Sequence, residues 1–227
     1  MGRRLTELSF EDWVDHVVLA AKQFYQVVVD GDRWDYQAVP DLTLEYLIRL
    51  FNDPLAAFEP YYFDEEIGES LWYVASNGGS DFMILLSDPN VSLPLRKACA
   101  GAMFDLYEKL FAVKCTPHLS HLDRTTPADV SPINMPCYMW WDILPYLGRP
   151  GDPDHRQLDP VMLDVMRRTL DLESAACHEG ALHGLGHWHA AYPDDVEQIV
   201  DTFLASHPQI APELRDYALS ARGGCVQ

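Results

Sequence analysis

The stretch Ala175-Ala176-Cys177-His178-Glu179-Gly180-Ala181-Leu182-His183-Gly184-Leu185-Gly186-His187-Trp188 decides how this chain folds. Its apolar residues do not alternate, as they would on a half-buried strand. They recur at helical spacing, and at about 100° per residue Ala181, Leu182, Leu185 and Trp188 share one side. Glu179, His183 and His187 fall on the opposite side. Gly180, Gly184 and Gly186 interrupt the same helix, each costing about 1 kcal/mol of helix propensity relative to Ala. That cost is tolerable where another backbone must come close. Gly180 and Gly184 therefore predict a groove for a neighbouring helix, with Gly184 against it at short range.

Neighbouring segments repeat the pattern. Pro193 to Ser206 and Pro212 to Arg222 each open on a proline and carry an apolar stripe. Upstream, Asp159-Pro160 predicts the start of a helix bearing Leu163, Met166 and Leu170. Cys137 to Leu147 is densely aromatic, and adjacent Trp140 and Trp141 point about 100° apart, so this segment packs on more than one side. Lys114 to Pro136 is punctuated by Pro117, Pro127, Pro132 and Pro136 and reads as a long loop, either functional or an ordered wrap. Before it, Pro94 suits the first turn of a helix with Leu95, Cys99, Ala102, Leu106 and Leu110 on one face.

Phe82 to Leu86 fits a buried helical turn or a strand equally well. Asp64 caps a helix that Asn77-Gly78-Gly79 closes, and another follows Asp41 or Thr43 as far as Asn52-Asp53-Pro54. Ser9 caps the first helix, whose stripe runs from Phe10 to Val28 until Asp30-Gly31-Asp32 ends it. The sum is about nine helices and no alternating strand. It predicts one all-α domain over residues 1–227, built as an α-solenoid or an irregular helical bundle.

Residues 174–186, with small residues and then Leu-Gly, followed by the Asp195 to Leu204 helix, resemble a HEAT-type helix pair. Val91 to Leu110, with Arg96 early in its helix, is a weaker echo. Together they cover about a quarter of the chain, and no regular period runs through the rest. The resemblance implies a HEAT-like helical scaffold. Cys137 to Asp142 is similar to a segment of bacterial proteins to which no activity attaches. His178-Glu179 is similar to the His-Glu pairs of deoxyhypusine hydroxylase, a HEAT-repeat enzyme with a di-iron site, but one pair cannot supply that site.

Lys and Arg total 16 against 35 Asp and Glu, a formal charge of −19. Residues 1–92 alone hold 17 acids and 5 bases, so the negative field is strongest there. This balance disfavours nucleic acid and anionic membranes, which both require Lys and Arg. It favours fast encounter with a basic protein. Glu59, Asp64, Glu65, Glu66 and Glu69 form the densest acidic patch and are the candidate partner-binding residues. Asp64 to Glu66 would equally favour the dipole of a helix start.

No apolar signal region precedes Trp13, and runs such as Phe82 to Leu86 are too short to span a bilayer. Five cysteines at no disulfide-like spacing point to reduced thiols and a cytoplasmic setting. Met1 to Thr6 fits the loose N-myristoylation pattern.

Two constellations carry metal chemistry. Glu179-x3-His183-x3-His187 puts three potential ligands on consecutive turns, a spacing that can seat zinc or iron with the carboxylate as ligand or base. The glutamate here precedes both histidines, unlike the zinc-protease order. The packing account explains more, because it also uses the glycines: buried histidines beside the groove would bond neighbouring carbonyls or carboxylates. Cys115-x2-His118-x2-His121 with Cys137 would make a Cys2His2 set, but Cys137 stands alone where such sites pair their ligands. No Gly-x-Ser-x-Gly elbow, phosphate loop or dinucleotide fingerprint occurs. The expected function is a non-enzymatic acidic module that binds a basic protein, needing no cofactor; an immunity protein neutralising a basic toxin is one example. The alternative is a metal-dependent enzyme, with zinc or iron on Glu179, His183 and His187.

Overall fold

A computed structural model describes residues 8–25, 39–59, 61–123 and 129–226. Helix α1 (Phe10–Tyr25) is followed by α2 (Pro40–Asn52), α3 (Pro54–Phe58), α4 (Asp64–Ala75) and α5 (Leu93–Leu106). After α6 (Ala112–Lys114) come α7 (Asn134–Ile143), α8 (His155–Thr169), α9 (Ala175–Trp188), α10 (Pro193–Ser206) and α11 (Pro212–Arg222). There is no strand among the described residues, and the fold is all-α. The Met1–Thr6 pattern and the end of the first helix at Asp30-Gly31-Asp32 lie outside them.

Where proline marks the first turn, sequence and structure agree to the residue: α10 and α11 begin at Pro193 and Pro212. Phe82–Ser87 is a 3-10 helix, which settles that segment as a buried turn. The short α3 was not anticipated; the Asp53 carboxylate accepts from the Ala56 amide and caps it. The α5 helix continues through a wide turn, Tyr107–Phe111, into α6, and the Tyr107 hydroxyl donates to the Cys137 carbonyl of α7 at 3.0 Å.

Three helix starts are corrected. Helix α2 opens at Pro40 with Val39 as its cap, so Asp41 and Thr43 lie inside it, and Asp64 is the first residue of α4, capped by Phe63. Helix α8 starts at His155, and Pro160 lies inside it. The turn at Gly151–Asp154 starts the helix early, through Asp154 N to Asp152 Oδ1 and Arg156 N to Asp152 O, both 2.9 Å. Proline then removes only the bond to the Arg156 carbonyl, close to the helix end. Asp159, read as a cap, is instead a fully buried carboxylate. It accepts from Tyr146 OH (2.7 Å), Tyr192 OH (2.7 Å) and Arg149 N (2.8 Å).

Two series of packed neighbours run through the fold, α1–α4–α7–α9–α11 and α2–α5–α8, joined where α8 meets α9. One hydrophobic core extends from Leu8 to Ala221, with Trp13, Trp140, Trp141 and Trp188 fully buried. Helix α9 lies at its centre and is buried on every side from Ala176 to Gly186, so it is not an amphipathic surface helix. The anticipated groove is present. A Cβ on Gly180 would lie 2.6 Å from the Cys137 carbonyl oxygen, and one on Gly184 would lie 2.5 Å from Trp141 Cγ. Both glycines admit α7.

Candidate functional site

The three residues of the Glu-x3-His-x3-His pattern do not act together. Glu179 is fully buried, and its carboxylate accepts three amides of the long loop: Ser120 N (2.6 Å), His121 N (3.1 Å) and Leu122 N (3.1 Å). Burial pushes the Glu179 carboxyl up to about 7, against the three amides, which favour the ionised form. Asn134 at the start of α7 holds the same loop, accepting from Thr116 N and donating to the Thr116 and His118 carbonyls. Glu179 and Asn134 thus hold residues 116–122 of the loop against α7 and α9.

His183 and His187 do meet, with Nε2 atoms 3.2 Å apart and ring planes at 88°. The third member comes from α7: Asp142 Oδ1 lies 3.5 Å from His187 Nε2. His183 is 2% exposed, and its Nδ1 is 2.8 Å from the Tyr217 hydroxyl of α11. Tyr217 also hydrogen-bonds Tyr138, whose ring lies 4.5 Å from that of His183. Burial, and then the neighbouring His187, pull His183 down to about 4, so the imidazole is neutral near pH 7. In the sequence Asp142 is the single acid of the aromatic segment Cys137 to Leu147. Only the α7–α9 contact brings it to the histidines.

Cys115, His118, His121 and Cys137 do not gather as one set: the two cysteines are neighbours, and the two histidines turn elsewhere. His118 Nδ1 faces Asp123 Oδ2 at 3.0 Å, and the His121 ring stacks on Tyr138. Cys137 is buried against the Ala176 carbonyl, with Cys115 and Cys177 beside it.

The acidic patch is partly spent inside the protein. Lys114 pairs with both Glu59 and Asp64, and Lys22 pairs with Glu66, whose other carboxylate oxygen closes the start of α4 on Phe63 N. Glu65 is exposed and Glu69 half-buried. Beside them stand Tyr61 and Phe63, 75% and 77% exposed. Next to Tyr61 a cleft of about 530 Å³ opens between α1, the end of α2 and α3, with Val14, Ala56 and Ala57 among its apolar walls. Among the described residues, Glu11, Asp15 and Asp53 line it with Arg49 as the one cation, and Arg49 pairs with Glu11 and lies over the Phe10 ring.

The chain matches no protein-family model, HEAT-type repeats included, no curated protein and no solved structure. No helix among the described residues is long and apolar enough to cross a membrane.

Proposed function

We propose that this chain is an acidic docking module that captures a basic protein segment at the cleft between α1, α2 and α3. The observation that carries the reading is the exposed Tyr61 in the lining of that acid-lined cleft, with the exposed Phe63 two residues further along the chain. Aromatic side chains at the centre of an interface supply most of its binding energy, while surrounding charges speed encounter and select the partner's sign. A net charge of −19 extends that attraction over about 8–10 Å at physiological salt. Glu65 and Glu69 are the members of the acidic patch that form no ion pair among the described residues, so they face a partner at no internal cost.

The test is cross-linking in the native host followed by purification of the adduct. A basic protein is expected, retained by wild type and by Asp164→Ala on the distant α8, and lost by the Tyr61→Ala/Phe63→Ala pair. Equal recovery by that pair, or adducts with acidic proteins only, would refute the reading.

A further inference from the structure

The His183, His187 and Asp142 cluster lies at the α7–α9 contact, and the docking reading makes no use of it. We infer that these three side chains form a site for one divalent transition-metal ion of the zinc class.

The distances match such an ion. Metal–ligand bonds of about 2.0–2.1 Å in a tetrahedron put neighbouring donor atoms about 3.3 Å apart. The two Nε2 atoms are separated by 3.2 Å and the second pair by 3.5 Å, and all three donors lie within 4.8 Å of one another. The two rings meet through their Nε2 atoms with their planes at 88°.

The surroundings prepare His183 as a ligand. A ligating imidazole is normally oriented by a hydrogen bond at its other nitrogen, and the Tyr217 hydroxyl occupies that position at 2.8 Å. Tyr217 is itself held by Tyr138. Two imidazoles with one carboxylate select zinc, cobalt or ferrous iron over calcium and magnesium, which take oxygen donors. His187 and Asp142 are 33% and 43% exposed, so the outer side of the ion faces solvent and takes water. Three protein ligands with an exchangeable water is the arrangement of reactive zinc sites, whereas structural ones are closed by four.

The arrangement differs from the helical pattern read in the sequence. Glu179 is committed to three loop amides, and Asp142 takes the carboxylate position. This gives a test that separates the two ligand sets. Untagged protein is freed of metal with a chelator and titrated with Co²⁺, with visible absorption as the readout and Zn²⁺ as competitor. One Co²⁺ per chain is expected, with the bands of a four- or five-coordinate nitrogen–oxygen site that Zn²⁺ displaces. Asp142→Asn and His187→Gln, both at exposed positions, should each weaken binding by about a hundredfold, and Tyr217→Phe by about tenfold. Glu179→Gln should leave the affinity within about threefold of wild type if thermal melting shows it folded; a destabilised Glu179→Gln is read below its melting point.

Failure of the folded wild type to take up Co²⁺ would overturn the site. So would uptake that survives both Asp142→Asn and His187→Gln, or that Glu179→Gln abolishes in folded protein. Intense sulfur-to-cobalt charge transfer, lost in Cys115→Ser, would place the ion in the loop and equally overturn it.

Discussion

Glycine at position 180 should be required, while glycine at 101 should be a liability. Both sit inside helices, where replacing Gly by Ala ordinarily stabilises by about 1 kcal/mol through helix propensity. At Gly101 in α5 the nearest atom to an added Cβ is Val161 Cγ1 at 3.9 Å, an ordinary contact, so that gain should be kept. At Gly180 the same methyl lands 2.6 Å from the Cys137 carbonyl oxygen and 3.3 Å from its carbon. The obstacle is backbone in the middle of α7, and a rotamer change cannot relieve it. Overpacking of this kind costs about 1–3 kcal/mol and more when backbone must shift, which outweighs the propensity gain. Gly101→Ala is therefore expected to be more stable than wild type by up to about 1 kcal/mol, and Gly180→Ala less stable by about 1–2 kcal/mol. At this chain length each kcal/mol moves the melting temperature by about 2–4 °C, so the two variants should melt on opposite sides of wild type. Urea unfolding with unchanged m-values would measure the difference. A Gly180→Ala protein as stable as Gly101→Ala would refute the close approach of α7 and α9.

Asp159→Ala removes a buried acceptor from two tyrosine hydroxyls and one amide, and should cost about 3 kcal/mol or more by urea unfolding, because hydrogen bonds to charged groups are worth about 1.5–3 kcal/mol each. In chelator, Glu179→Gln should make the protein more sensitive to acid. Burial lowers His178 to about 4, so its folded form binds fewer protons than the unfolded chain and stability falls as pH drops from about 6.5 to 4. Glu179, raised to about 7, holds its proton longer when folded, so its contribution runs the other way, lost as pH rises from about 4.5 to 7. His183, also lowered to about 4, acts in the same direction, so removing Glu179 leaves both histidines unopposed, and a stability–pH slope no steeper than wild type's between pH 4.5 and 6.5 would contradict this. Once a partner is in hand, its association rate should fall steeply with salt and with reversal of Glu65 and Glu69, while dissociation changes less; a rate insensitive to both would reduce the charge to a solubility feature.

Periodicity made the all-α class legible because helices declare themselves locally. Boundaries were legible only where the chemistry of the boundary is also local. Pro193 and Pro212 fix a first turn, whereas Asp159-Pro160 has the same appearance and a different cause. A carboxylate satisfied by tyrosines and an amide from the preceding loop and from after α9 leaves no mark near Asp159 itself. The same limit applies to Glu179. On a helical wheel it shares a side with His183 and His187, but α9 is buried on every side from Ala176 to Gly186, so the neighbours on that side decide each residue's role. One turn separates a loop amide cluster from a histidine pair. The acidic patch was legible as composition, but the lysines that engage it are Lys22 and Lys114, brought in by other elements. Tyr61 and Phe63 were not singled out in the sequence at all, since nothing in a lone aromatic says that it stays exposed.

The glycine groove and the proposed metal site are one device, and this makes a joint prediction. Asp142 follows Trp141, and Trp141 packs on Gly184, one residue past His183. The depth to which α7 sinks into α9 at Gly184 therefore sets the reach from Asp142 to His187, now 3.5 Å. Metal sites tolerate only about 0.2 Å of error in ligand distance. A methyl at Gly184 would lie 2.5 Å from Trp141 Cγ and 2.8 Å from both Trp141 Cβ and Met166 Sδ, so α7 must back away by more than that tolerance. Gly184→Ala should then lose Co²⁺ affinity at a temperature where it is still folded. Gly186→Ala is the control: its methyl meets Val226 at 2.5 Å, near the chain end, and leaves α7 where it is. It should destabilise without weakening the metal. Equal affinity in the two variants would mean that helix depth does not position Asp142, and the link between the α7–α9 contact and its chemistry would be broken.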